Sequence, residues 1–178
     1  FSASKFLPSL RQGLGERPIL LTFRTKEEGG EQAITASDYV ALYEDLMSLG
    51  LAQLIDVEYE RGEQTVRTLV EAARKAGVLT VLSHHNFDRT PAAEEMLQKL
   101  VRMQKANADI TKLAVMPHDS EDVTRLLVFD AEDGHMICEA ESQELLKIAH
   151  KVPQEALERH IRIQKQQMKD VRAKLKEM

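Results

Sequence analysis

The sequence predicts an α/β protein of parallel β/α repeats, and three observations carry that expectation. Short aliphatic runs alternate with longer amphipathic stretches. Glycines stand where two of those stretches should stop, at Gly50 and Gly77. The short runs are apolar almost throughout rather than alternating, as expected of parallel strands covered on both faces.

In chain order, residues 18–23 (Pro18-Ile19-Leu20-Leu21-Thr22-Phe23) read as the first strand, followed by a charged loop through Gly30. Residues 37–50 read as a helix with apolar positions at Tyr39, Leu42, Leu46 and Leu49. The second strand is expected over 54–59, a helix over 63–76, and the third strand over 78–85. Thr90-Pro91 opens a helix to about Ala106, with proline in its first turn. The fourth strand is Asp109-Ile110-Thr111-Lys112-Leu113-Ala114-Val115-Met116-Pro117. Such a rhythm requires right-handed crossovers and fits either a (β/α)8 barrel or an open doubly wound sheet. No Gly-x-Gly-x-x-Gly follows a strand, so dinucleotide binding is not supported.

Beyond Pro117, Ser120 to Phe129 reads as a helix capped by Ser120. The alternative is a hairpin pairing Leu126-Leu127-Val128-Phe129 with Met136-Ile137-Cys138. Further on, Leu157, Ile161, Gln164, Met168, Val171, Leu175 and Met178 follow alternating four- and three-residue spacings. That is an a/d seam of about three heptads on an amphipathic C-terminal helix, suited to pairing with another helix. The expected organisation is therefore a β/α domain over 1–133 and a basic helical tail over 134–178.

Composition narrows the function classes. The chain has 178 residues, of which 43% are hydrophobic and 30% charged, values of a soluble globular protein. The net charge of −5 conceals a basic tail, since 151–178 holds eight lysines and arginines against four acids. The acidic remainder argues against nucleic acid as a partner. No apolar run approaches the roughly 20 residues of a membrane span, and no signal peptide is visible. The single Cys138 cannot form an internal disulfide, which fits a cytoplasmic protein.

Lys112 is the first candidate for chemistry. Alternation places it on one strand face with Ala114 and Met116. A lysine in a sheet interior either finds a carboxylate or surrenders its proton more easily, and a neutral amine attacks carbonyls. A Schiff-base lysine is the sharp reading; a strand-end lysine reaching solvent is the bland one. Arg24 and Glu28 lie just past the first strand, where parallel α/β proteins bind ligands. Arginine suits a carboxylate or a fork of hydroxyls. His84 and His85 end the third strand facing opposite ways, so only one imidazole reaches a common site. With a single cysteine and no other histidine spacing of metal type, no metal is expected. One histidine beside a glutamate is instead an acid/base pair.

Thr22-Phe23-Arg24-Thr25-Lys26-Glu27-Glu28-Gly29-Gly30, Ser83-His84-His85-Asn86-Phe87 with Thr90-Pro91, and Lys112-Leu113-Ala114-Val115-Met116-Pro117 together resemble the type I 3-dehydroquinate dehydratase family, across about residues 15–130. The resemblance implies a (β/α)8 TIM-type barrel and dehydration of 3-dehydroquinate to 3-dehydroshikimate in aromatic amino acid biosynthesis, with no cofactor. It implies that Lys112 forms the Schiff base, His85 (rather than His84) moves the proton, Glu28 orients His85 and Arg24 binds substrate. It also implies a homo-oligomer, here a dimer, with a small-molecule substrate and neither nucleic acid nor membrane as partner. The family barrel has two strands before the first one here and two after the lysine strand, so an incomplete barrel is expected. The other functional reading is an inactive or chimeric relative that acts as an interaction module through its tail.

Overall fold

In a computed structural model the described residues are 3–123, 125–126 and 136–140, with 3–5 and 136–140 described by backbone only. The chain divides into two compact units, Phe1–Leu82 with Ala106–Asp109, and Ser83–Lys105 with Ile110–Met178.

The first unit begins with helix α1 (Ala3–Leu14), which the sequence reading does not anticipate because Pro8 lies inside it. Tertiary bonds outweigh that cost. Leu7 is buried, and the Arg11 guanidinium donates to the carbonyls of Gly15, Arg17 and Leu51 and to Gln53 Oε1. Gln53 Oε1 also accepts from the Ile19 amide at 3.0 Å, so α1 is tied to the start of the sheet.

Strand β1 (Leu20–Thr22) pairs in parallel with β2 (Leu54–Glu58) in the register Leu20↔Leu54, Leu21↔Ile55 and Thr22↔Asp56. Between them runs α2 (Ala36–Ser48), opened by Thr35, whose hydroxyl accepts from the Asp38 amide at 3.1 Å. Helix α3 (Glu63–Ala76) buries Val66, Leu69, Val70 and Ala73, a 3.6-period stripe, and packs on α2 and β2. Its last carbonyls are met by the amide of Gly77, the stop legible in the sequence. All five residues of β2 are buried, including Asp56 and Glu58. Strand β3 (Leu79–Asn86) starts in this unit, where Thr80 and Asp109 exchange hydrogen bonds.

The second unit takes the carboxyl half of β3, helix α4 (Ala93–Lys105) and strand β4 (Ile110–Val115). Met96, Leu100 and Met103 form the buried stripe of α4. Residues 120–123 and 125–126 are helical, as the favoured reading has it, but Asp119 supplies the cap, accepting from the Asp122 amide at 2.8 Å. Met136–Ala140 form strand β5, parallel to β4 in the register Lys112↔Ile137, while residues 127–129 of the hairpin alternative lie outside the described residues. A parallel partner needs a crossover, and the helical residues after Asp119 lie in that connection. The tail expected over 134–178 therefore includes a strand; its heptad helix lies outside the described residues.

The strand order is sequential, β1-β2-β3-β4-β5, with no reversal. A doubly wound sheet reverses direction at a switch point, whereas a barrel adds strands in chain order, so the order is of the barrel type.

Candidate functional site

The carboxyl ends of β1 and β2 are held by two tyrosines of α2. Tyr43 Oη accepts from the Phe23 amide at 2.9 Å and donates to the Asp56 carbonyl, so one oxygen bridges neighbouring strands. Tyr39 Oη accepts from the Glu58 amide at 3.1 Å. Both rings are fully buried and meet edge to face, centroids 4.9 Å apart. Burial pushes the Tyr43 phenol up to about 12; it raises Tyr39 as well, with Tyr43 adding to the effect. Both phenols are therefore neutral at physiological pH, able to donate as well as accept. The Arg61 guanidinium lies 5.2 Å over the Tyr39 ring and donates to the Ile34 carbonyl at 2.6 Å, closing the far side.

Past the tyrosines, Arg24 leaves β1 and crosses to the acids of β2. Its Nη2 donates to Asp56 Oδ2 at 2.8 Å and its Nη1 to Glu58 Oε1 at 3.1 Å, with Glu28 Oε2 at 3.6 Å. Burial works against the guanidinium charge, but Asp56, Glu58 and Glu28 outweigh it and hold the pKa above the ordinary arginine value. Arg24 stays a cation at every accessible pH. Sequence reasoning singled out Arg24 and Glu28, which are together here, and missed Asp56 and Glu58. The available signal was an acid at i and i+2 at the end of an otherwise aliphatic strand, hence two anions on one face.

The loop after β1 gives Glu28 its place. Residues Lys26–Glu28 form one 3₁₀ turn, in which the Glu28 amide donates to the Thr25 carbonyl at 3.1 Å. Gly29 ends the turn at φ +87°, a conformation that favours glycine. Gly30 answers a different demand: a Cβ there would stand 1.9 Å from the Arg24 carbonyl oxygen. The turn leaves the Glu28 side chain buried, although it lies in a run of charges.

In the second unit, β3 ends with His85 buried, 7% exposed, and stacked against Phe87 with centroids 6.2 Å apart and planes 13° from parallel. The two rings are two residues apart, as alternation on a strand requires, and His84 falls on the other face. Lys112 is the third residue of β4 and half-buried, so it is not committed wholly to the interior. Just beyond, Asn86, Phe87, Ala114, Val115 and Met116 line a shallow depression. The Thr90 hydroxyl donates to the Met116 carbonyl at 3.1 Å and ties the loops after β3 and β4 together. Among the described residues, no group of three or more His, Cys, Asp or Glu is placed to hold a metal. Among the same residues, no helix is long and apolar enough to cross a membrane.

Known proteins resemble this arrangement. The family model described as type I 3-dehydroquinase matches residues 2–136. A 3-dehydroquinate dehydratase of Enterococcus faecalis is 46% identical over 114 residues, covering 64% of this chain and 45% of that protein. One from Salmonella paratyphi B is 42% identical over 124 residues, covering 70% of this chain and 49% of the relative. The chain thus spans about half the length of these curated relatives. Among solved structures, a type I 3-dehydroquinate dehydratase of Clostridium difficile with covalently modified comenic acid superposes with a TM-score of 0.75 at 36% identity, covering 78% of this chain and 57% of that one. The Enterococcus faecalis enzyme gives 0.74 at 37% identity, covering 79% and 61%.

Proposed function

Because the chain belongs to the type I 3-dehydroquinase family, we propose that it dehydrates 3-dehydroquinate to 3-dehydroshikimate through an imine on Lys112. The observation that carries the proposal is that the family's motif residues fall on three β/α units in chain order. Arg24 and Glu28 follow β1, buried His85 lies one residue before the end of β3, and Lys112 lies in β4.

In the proposed reaction the Lys112 amine adds to the substrate ketone, and water leaves as the imine forms. The protonated imine is an electron sink. His85 removes the proton from the adjacent carbon, and the freed electron pair runs to the imine nitrogen, giving an enamine. The enamine pushes out the β-hydroxyl, which takes the proton back from His85 and departs as water. Hydrolysis of the imine then releases the enone and restores the amine. Glu28 fixes the orientation of His85, and Arg24 binds substrate oxygens. On the same reading the protein serves aromatic amino acid biosynthesis in the cytoplasm as a homo-oligomer and needs no cofactor.

The test is incubation of the chain with 3-dehydroquinate and borohydride, then peptide mass mapping. Reduction should leave a stable adduct on Lys112, absent in Lys112→Ala. A folded protein with Lys112 unmodified overturns the proposal.

A further inference from the structure

We propose that Glu58 is a positioning residue of this site, a buried anion that sets both the Arg24 guanidinium and the turn bearing Glu28; the inference rests on the dehydratase reading and deepens it. Glu58 is 0% exposed, and burying a carboxylate is costly unless its oxygens are met by donors. Among the described residues three donors meet it, all from two consecutive residues at the exit of β1. The Thr25 amide reaches Oε1 at 2.8 Å, the Thr25 hydroxyl reaches Oε2 at 2.6 Å, and Arg24 Nη1 reaches Oε1 at 3.1 Å.

The Thr25 carbonyl in turn accepts from the Glu28 amide at 3.1 Å and from the Gly30 amide at 2.7 Å. A chain of short contacts therefore runs from Glu58 through Thr25 to Glu28. Asp56 takes the other amine of the same guanidinium, at 2.8 Å from Arg24 Nη2. The two acids of β2 have separable duties. Asp56 orients the arginine, while Glu58 orients the arginine and templates the backbone that delivers Glu28.

That difference makes a kinetic signature. Glu58→Gln keeps the side-chain volume but presents an amide donor to donors that need acceptors. It should lower kcat and raise KM for 3-dehydroquinate, each by about tenfold or more. Asp56→Asn should raise KM with kcat held within about twofold. Thr25→Val removes only the hydroxyl donor and should follow Glu58→Gln in direction at a smaller size. A Glu58→Gln enzyme that keeps its kcat, or matches Asp56→Asn, overturns the proposal.

Activity of the unmodified chain is measured first, so that failure of the dehydratase reading is seen by itself. Nuclear magnetic resonance then decides the role of Glu58 in either case. The amides of Thr25 and Glu28 and the Arg24 side-chain N–H should all shift in Glu58→Gln, while Glu28 keeps its wild-type amide position in Asp56→Asn. An unmoved Glu28 amide in Glu58→Gln overturns the proposal. Should Glu58→Gln not fold, Thr25→Val is judged by the same amides.

Discussion

The Tyr43 hydroxyl donates to the backbone carbonyl of Asp56 while accepting from the amide of Phe23, so a side-chain oxygen from α2 joins two strands where their ladder ends at Thr22↔Asp56. Two residues past the end of β1 comes Arg24, whose guanidinium crosses to the acids of β2. The phenol links the two strands just before the site, and its removal should be felt in the fold.

Tyr43→Phe leaves the Phe23 amide and the Asp56 carbonyl without their bridge. Loss of a buried partner costs about 1–3 kcal/mol. Urea unfolding should show a lower midpoint with an unchanged slope.

Alkaline pH should weaken the fold through the same residue. The Tyr43 phenol titrates at about 12 in the folded chain and near 10 when unfolded. A group with a raised folded pKa contributes stability that is whole below the unfolded value and lost as pH climbs through the folded one. Between those limits stability should fall by up to about 1.4 kcal/mol per pH unit from Tyr43. Tyr43→Phe should have the shallower decline in denaturant titrations across that range.

Arg24→Ala removes the cation shared by two acids, since Asp56 and Glu58 would remain buried without the guanidinium. Breaking a largely buried pair on one side costs about 3 kcal/mol. Arg24→Lys should recover part of that loss and little of the substrate affinity, because an ammonium cannot span both carboxylates as a planar fork does. Unfolding midpoints and KM, measured side by side, separate the two effects.

Gly30→Ala should disturb the loop for want of space. The added methyl would press on the Arg24 carbonyl at 1.9 Å, a backbone atom that cannot swing away. The strain should displace the Glu28 turn, reducing kcat by about tenfold or more, with thermal unfolding as the check on the fold.

Much of this protein was written locally. Helix α3 was readable to both ends, because its apolar stripe and Gly77 are near neighbours in sequence. Arg24, Glu28 and His85 were picked out as motif residues flanking or ending apolar runs, and Lys112 as one inside such a run. Asp56 and Glu58 were read as ordinary strand positions. Their burial depends on Arg24 and Thr25, 32 to 34 residues earlier, and no local pattern encodes that partnership. Helix α1 was missed for a similar reason: Pro8 argues against it locally, while Arg11 and Leu7 secure it through bonds and packing made elsewhere. By itself the sequence determined the order and type of the β/α repeats and the residue types that chemistry requires, since periodicity, caps and motifs act over a few residues. Only the tertiary structure decided which acids hold Arg24, which tyrosine oxygen bridges the strands and which chain segment pairs with β4, because each is a contact between distant segments whose desolvation cost is met only when the whole set forms together.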